Sequence, residues 1–249
     1  MIEAVLFDGD QTLWDFERVM REALIAVLDE LRVARPGSYT RGLRWEDMER
    51  DRAAVGIELE GIEYNLARLR VLGFARTLER LREAQGGDGD AEAEADADAD
   101  AELTEALSVS YFEHRDRDPG LFADTVPGLD ALRGDYRLGL LSNGSRLPEK
   151  VGLGGYFESV VFAQDHRIAK PDKGIFEVVE RQLGVGPEAC VLVGDHPVND
   201  VAGARGAGWR SVWIDRDGTA PFPADGPPPD AVVRRLIELP DVLRRLASA

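Results

Sequence analysis

The sequence predicts an α/β protein: a doubly wound, mostly parallel sheet with an α-helical block inserted into it. Three observations carry this. A short apolar run, Ala4 to Phe7, stops at Asp8-Gly9-Asp10. From residue 15 to about 125 the apolar residues recur only at helical spacing. From Pro127 onward strand-like and helix-like segments alternate, the grammar of crossover helices covering both faces of a parallel sheet.

The run Ala4 to Phe7 is short, contains a β-branched residue and ends in a polar cluster, as a buried strand ending at a site does. Phe16, Val19, Met20, Leu24, Val27, Leu28 and Leu31 then follow the i, i+3/i+4 spacing of an amphipathic helix, which Pro36 and Gly37 terminate. Helical spacing resumes around Ile62, Leu66, Leu69 and Leu72, continues through Leu78 and Leu81, and returns at Leu103, Leu107, Tyr111 and Phe112. Between these lies an alternation of Ala with Asp or Glu; residues 88–105 hold nine acidic residues and no basic one. With almost nothing apolar to bury and like charges repelling, the stretch of about 86–102 reads as a solvated, disordered or frayed loop. It lacks the ordered ligand spacing and glycine turn of a calcium loop.

In the second half, Arg137–Leu141, Ser159–Phe162, Ile175–Leu183, Cys190–Val193, Val201–Ala207 and Ser211–Ile214 mark the alternation, and a final strand near Ala231–Val233 follows a proline-rich loop. The simplest assembly places the first strand in this later sheet, with the helical block as an excursion from its C-terminal end. The expected organisation is therefore a core of residues 1–14 plus 126–249 and a helical insertion of residues 15–125.

Composition narrows the function. A length of 249 residues suits one large domain or a core with a smaller second one. A net charge of −17 repels phosphate backbones and anionic lipid, which argues against nucleic-acid and membrane partners. No apolar run approaches the roughly 20 residues needed to cross a bilayer. The start of the chain has no basic stretch followed by an apolar segment, so no secretory signal is read and a cytoplasmic location is expected. The single cysteine, Cys190, excludes an internal disulfide or a cysteine-built metal cage and reads as an inert strand residue. Lys150, Lys170 and Lys173 are the only lysines, so lysine chemistry belongs to the second half.

In open parallel sheets the site lies beyond the carboxyl ends of the strands. The residues there are Asp8, Asp10 and Thr12; Ser142, Asn143 and Gly144; Lys170 before Pro171; and Gly194, Asp195, Asn199 and Asp200. Carboxylates sharing a site push one another's pKa upward unless a cation compensates. Mg²⁺, a hard oxygen-liganded ion that keeps positions open for a substrate phosphate, answers this, with Lys170 as a second positive charge. The Thr12 and Ser142 hydroxyls and nearby backbone N–H groups then offer donors to phosphoryl oxygens.

The segments Val5-Leu6-Phe7-Asp8-Gly9-Asp10-Gln11-Thr12-Leu13, Leu140-Leu141-Ser142-Asn143-Gly144, Lys170-Pro171-Asp172-Lys173-Gly174-Ile175-Phe176 and Val193-Gly194-Asp195-His196-Pro197-Val198-Asn199-Asp200 resemble, in order and spacing, the four motifs of the haloacid dehalogenase superfamily. The resemblance covers residues 1–14 and about 126–240. It implies a Rossmann-like core with a helical cap after the first motif, and a Mg²⁺-dependent phosphatase acting on a small phosphorylated metabolite. By the family pattern Asp8 is the nucleophile and forms an aspartyl-phosphate, and Asp10 is the general acid and base. Thr12, Ser142, Asn143 and Lys170 would hold the phosphate. Mg²⁺ would be bound by Asp8, Asp10 (through its carbonyl) and Asp195, with Asp200 as an outer or water-mediated ligand. Gln11 departs from the glycine commonest at its place, which questions the local turn. Asn199 reads as a helix N-cap or ligand-orienting residue, His196 as a loop or cap-facing one, and His114 and His166 as solvated.

Within the family, the dehalogenase branch lacks a carboxylate two places after its nucleophile, where this chain has Asp10. The phosphonate-cleaving branch needs a cap lysine, and no lysine precedes Lys150. A phosphomutase is the alternative reading, and a non-catalytic phosphate-binding or regulatory module is the alternative from another class. Candidate specificity residues are the loop Arg35–Trp45 together with Arg18, Arg21 and Arg146, each of which also reads as a solvated arginine. Monomer and homodimer both remain open.

Overall fold

The structure is a computed structural model that describes residues 1–59, 61–85, 90–218, 222–223 and 225–248, with side chains at 85 and 90–96 outside the description. It divides into two compact units, Met1–Phe16 with Asp118–Ala249, and Glu17–Arg117.

The first unit is built on β1 (Ala4–Phe7), β2 (Arg137–Ser142), β3 (Ser159–Phe162), β4 (Cys190–Gly194), β5 (Arg210–Ile214) and β6 (Ala231–Val233). They form one sheet in the order β3-β2-β1-β4-β5-β6, and every pairing is parallel. All four residues of β1 are buried. Val5 and Phe7 point into one apolar layer and Ala4 and Leu6 into the other, as a strand covered on both faces requires. Each such Leu or Phe contributes roughly 1.5–3 kcal/mol by leaving water. The reversal of strand order lies between β1 and β4, where doubly wound sheets open a crevice at their carboxyl ends.

The second unit consists of α1 (Phe16–Ala34, its first residue in the sheet unit), α2 (Ser38–Gly42), α3 (Trp45–Glu58), α4 (Leu66–Gln85) and α5 (Asp90–Arg115). Its own core unites Leu24, Val27 and Leu31 of α1 with Met48, Phe74, Leu78, Leu107 and Tyr111. The helices of the sheet unit follow: α6 (Thr125–Asp130), α7 (Ala163–His166), α8 (Lys173–Leu183), α9 (Gly203–Ala207) and α10 (Leu239–Ser248). Leu129 of α6 and Val242 and Leu243 of α10 cover one sheet face, and Ile175, Phe176 and Val179 of α8 with Ala204 and Ala207 of α9 cover the other.

Two expectations change. Residues 118–125 belong to the sheet unit, because Trp14 and Leu121 form an antiparallel bridge and the Phe122 N–H donates to the Leu13 carbonyl at 3.2 Å. The acidic run is not a loop over 90–102, which form the first half of α5; residues 86–89 lie outside the described residues. Alanine is the strongest helix former, and Asp100 pairs with Arg35 at 2.8 Å and Arg82 at 3.6 Å. Together these outweigh the like-charge repulsion on which the loop reading rested.

Cys190 is buried in β4, and burial pushes its thiol up to about 12, which leaves it unreactive. No helix among the described residues is long and apolar enough to cross a membrane.

Phe176 is fully buried and meets Trp209 edge-to-face at 5.2 Å. Phe176→Ala is expected to destabilise the protein by about 3–5 kcal/mol, measured by urea unfolding; a loss under about 1 kcal/mol would contradict this packing.

Candidate active site

Asp8 follows β1, Ser142 ends β2 and Asp195 follows β4, and β1 is hydrogen-bonded to both β2 and β4. Parallel register therefore delivers all three at the same end of the sheet. Lys170, from the loop before α8, completes the centre: its Nζ donates to Asp8 Oδ1 at 2.7 Å and to Asp200 Oδ1 at 2.6 Å. Asp8, Lys170 and Asp200 are all buried. Carboxylate oxygens of Asp8, Asp195 and Asp200 lie within 4.8 Å of one another.

Charge at this centre is unbalanced. Burial raises the Asp8 carboxyl well above the usual carboxylate range, with Asp200 and Asp195 adding to the rise and Lys170 opposing it. Burial, then the Asp200 charge, pushes Asp195 up to about 7. Lys170 stays charged: burial disfavours its ammonium, but Asp200 and Asp8 outweigh this and hold its pKa above the ordinary lysine value. Three clustered carboxylates thus face one buried ammonium. Their oxygen-only donor set and surplus negative charge fit a hard divalent cation.

The surrounding hydrogen bonds assign several side chains to positioning. Asn143 clamps the backbone of Lys170, its Nδ2 donating to the Lys170 carbonyl at 2.9 Å and its Oδ1 accepting the Lys170 N–H at 2.8 Å. The side-chain amide expected at the phosphate is therefore engaged with the lysine's main chain. Thr12 is fully buried and its hydroxyl donates to Asp195 Oδ1 at 3.4 Å, which orients that carboxylate. Ser142 Oγ accepts the Gly144 N–H at 3.1 Å, which leaves its O–H to donate. Asp10 Oδ1 accepts from Trp14 Nε1 at 2.7 Å. A Cβ at position 144 would lie 2.8 Å from Asp10 Oδ2 and 3.3 Å from Ser142 Oγ, so a side chain there would push on the Asp10 carboxylate. At position 194 a Cβ would meet the Asp200 carboxyl carbon at 2.3 Å, and glycine is needed there too.

Gln11 takes the left-handed turn conformation, φ 60°, at a cost of roughly 1–2 kcal/mol. The turn therefore survives the missing glycine. Asn199 is not the N-cap. His196 is, its Nδ1 accepting the N–H groups of Val198 and Asn199 at 3.2 and 3.1 Å, while its own N–H donates to Asp200 Oδ2 at 2.9 Å. Asn199 falls inside the segment Pro197–Ala202, a π-helical turn, too late to cap it. Arg146 is 9% exposed and His114 half-buried, against the solvated reading, whereas His166 is exposed. Arg18 and Arg21 belong to the helical unit, where Arg18 pairs with Glu22 at 3.1 Å and Arg21 is exposed. Most of the Arg35–Trp45 stretch is helical, as α2 and the start of α3.

Sequence reasoning missed Trp213, whose Nε1 donates to the Asp195 carbonyl at 2.7 Å, and Arg216, whose Nη2 donates to the Thr12 carbonyl at 2.5 Å. Both lie at the end of β5. Inspecting that strand end as the others were inspected would have flagged them.

Residues 2–208 match the haloacid dehalogenase-like hydrolase family. The chain belongs to that family. Among characterised relatives of this hydrolase, N-acylneuraminate-9-phosphatase of Homo sapiens is 28% identical over 252 residues, 98% of this chain and 95% of that protein. Glyceraldehyde 3-phosphate phosphatase of Methanopyrus kandleri is 28% identical over 256 residues, spanning 100% of both. Among solved structures, a 2-haloacid dehalogenase from Pseudomonas syringae pv. Tomato DC3000 superimposes with a TM-score of 0.71 at 28% identity, covering 98% of this chain and 99% of that one. One scaffold thus carries both phosphatases and a dehalogenase, and the site residues must decide between the reactions.

A cation at the carboxylate cluster requires Asp195 ionised, and without one burial and the Asp200 charge push its carboxyl up to about 7. Affinity for an added divalent cation is therefore expected to rise with pH through about 7, with protons released on binding. Calorimetric titration in buffers of different ionisation heat measures the release; no buffer dependence between about pH 6 and 7 would refute it.

Proposed function

We propose that this hydrolase is a Mg²⁺-dependent phosphatase that cleaves a small-molecule phosphate monoester through an aspartyl-phosphate on Asp8. The observation that carries the reading is the pairing of two carboxylates with different surroundings. Asp8 is buried against the Lys170 ammonium at 2.7 Å, and Asp10, two residues on, is held by the Trp14 indole at 2.7 Å beside Gly144. A dehalogenase has no use for the second carboxylate. A phosphatase needs it, because its leaving alkoxide must be protonated and its attacking water deprotonated.

In the first step a carboxylate oxygen of Asp8 attacks phosphorus, the bond from phosphorus to the ester oxygen breaks, and Asp10 gives its proton to the departing alkoxide. In the second, the Asp10 carboxylate takes a proton from water as the water oxygen joins phosphorus and the Asp8–phosphorus bond breaks, releasing inorganic phosphate and restoring Asp8. Lys170 keeps Asp8 oriented and offers its remaining N–H to a phosphoryl oxygen, and the Ser142 O–H offers another. Asn143 and Asp200 fix Lys170 from its main chain and its ammonium, and Thr12 fixes Asp195. Asp8, Asp195 and the carbonyl of Asp10 would hold Mg²⁺, with Asp200 beside them. The ion supplies positive charge for the carboxylates and the phosphate. The helical unit serves as the cap, and a cytoplasmic metabolite as the substrate; the names of the two phosphatase relatives support this class.

Asp8→Asn is expected to lower p-nitrophenyl phosphate hydrolysis by on the order of 10⁴-fold or more with an unchanged circular dichroism spectrum, and near wild-type turnover in that variant would refute the nucleophile. Asp10→Asn is expected to cost about 10²–10⁴-fold. Chelation by EDTA should abolish wild-type activity and Mg²⁺ restore it. A screen of phosphorylated metabolites then identifies the substrate.

A further inference from the structure

The loop bearing Asp8, Asp10 and Thr12 is closed on itself by local bonds: the N–H groups of Leu13 and Trp14 reach the Gly9 carbonyl at 2.8 and 3.3 Å, and the Gln11 N–H reaches the Trp14 carbonyl at 2.8 Å. Two of its carbonyls are not used in this closure. The Leu13 carbonyl accepts the Thr125 hydroxyl at 2.7 Å and the Phe122 N–H at 3.2 Å. The Thr12 carbonyl accepts Nη2 of Arg216, 204 residues away in sequence.

Arg216 is itself held on other sides. Its Nη1 pairs with Asp124 Oδ1 at 2.9 Å, and its guanidinium carbon lies 3.8 Å from the centre of the Phe122 ring. Asp124 occupies the N-cap position of α6, where an aspartate ordinarily caps its own helix, yet its side chain makes no capping bond. The carboxylate accepts instead from Arg216 and, through Oδ2, from the Leu236 N–H at 2.5 Å. A capping residue has thus been diverted to hold an arginine that holds the nucleophile loop. Nearby on β5, Trp213 performs the matching task for the Asp195 carbonyl.

We infer that Arg216, oriented by Asp124 and Phe122, is a positioning residue that locks the first catalytic loop against the end of β5 through the Thr12 carbonyl. The part concerning catalysis rests on the phosphatase reading. Arg216 bonds the Thr12 carbonyl and Asp124, and its charge also acts on Asp195, so its effect on catalysis passes through the placing of the loop and the charge beside it. A displacement of about 1 Å at reacting groups costs on the order of 10²-fold in rate.

The test uses the full chain with Arg216→Met, which keeps an apolar stem but loses the fork, and Asp124→Asn, which keeps an acceptor for Leu236 but loses the charge pair. Hydrogen exchange followed by mass spectrometry should show residues 9–14 exchanging at least about 10-fold faster in Arg216→Met, with Lys173–Leu183 unchanged, and a smaller effect of the same pattern in Asp124→Asn. With p-nitrophenyl phosphate and Mg²⁺, kcat of Arg216→Met should fall about 10–100-fold while KM stays within about threefold. Unchanged exchange at 9–14 in both variants overturns the inference, as does an equal rise across the whole sheet unit or a loosened loop with unchanged kcat. Should the wild-type protein fail to hydrolyse any phosphate monoester, the phosphatase reading falls, and the exchange data alone still decide whether Arg216 braces the loop.

Discussion

A buried ammonium between two buried carboxylates, Lys170 with Asp8 on one side and Asp200 on the other, is the interaction on which the rest of this site depends. Unpaired, any one of the three charges would cost several kcal/mol in such surroundings. Burial first, and the neighbouring carboxylates second, hold Asp8 and Asp195 above the usual carboxylate range, so the one ammonium does not by itself make all three carboxylates easy to ionise. Such a centre is a poor arrangement for stability and a good one for drawing in a cation and a phosphate. Stability given up here is recovered in the two apolar layers on either face of the sheet.

The sheet makes this concentration of charge possible. In the order β3-β2-β1-β4-β5-β6 the first strand is central, and its neighbours come from far along the chain. Parallel pairing puts every strand's last residue at the same edge, so Asp8 after β1 and Asp195 after β4 bring carboxylate oxygens within 4.8 Å of one another. The helical unit is inserted between β1 and β2 and has a core of its own, so the insertion leaves the register of β1 with its neighbours intact.

Around the charged centre lies a layer of groups whose work is to hold other groups. Asn143 grips the main chain of Lys170, Thr12 and Trp213 hold Asp195 by its side chain and its carbonyl, and the His196 N–H holds Asp200. Several of these types, Thr and Asn above all, are also the types that bind phosphate, so the same side chains that hold their neighbours here are those that the sequence offers to a substrate. A hydroxyl or an amide has the same chemistry wherever it points; the backbone around it decides what it meets.

The sequence by itself determined the strands, because buried apolar runs bounded by polar clusters have few alternatives, and it determined the charged centre, because Asp8, Asp10, Lys170, Asp195 and Asp200 each follow or flank such a run. It misjudged residues 90–102, where alanine's helix preference and the Asp100 ion pairs prevailed over repulsion. Only the tertiary structure decided which donor meets which acceptor: that His196 and not Asn199 caps its segment, that Asp124 leaves its helix to hold Arg216, and that Arg216 reaches the carbonyl of Thr12. Hydrophobic periodicity is written locally along a chain, whereas a hydrogen bond between residues 204 positions apart depends on distances and directions that exist only once the sheet has formed.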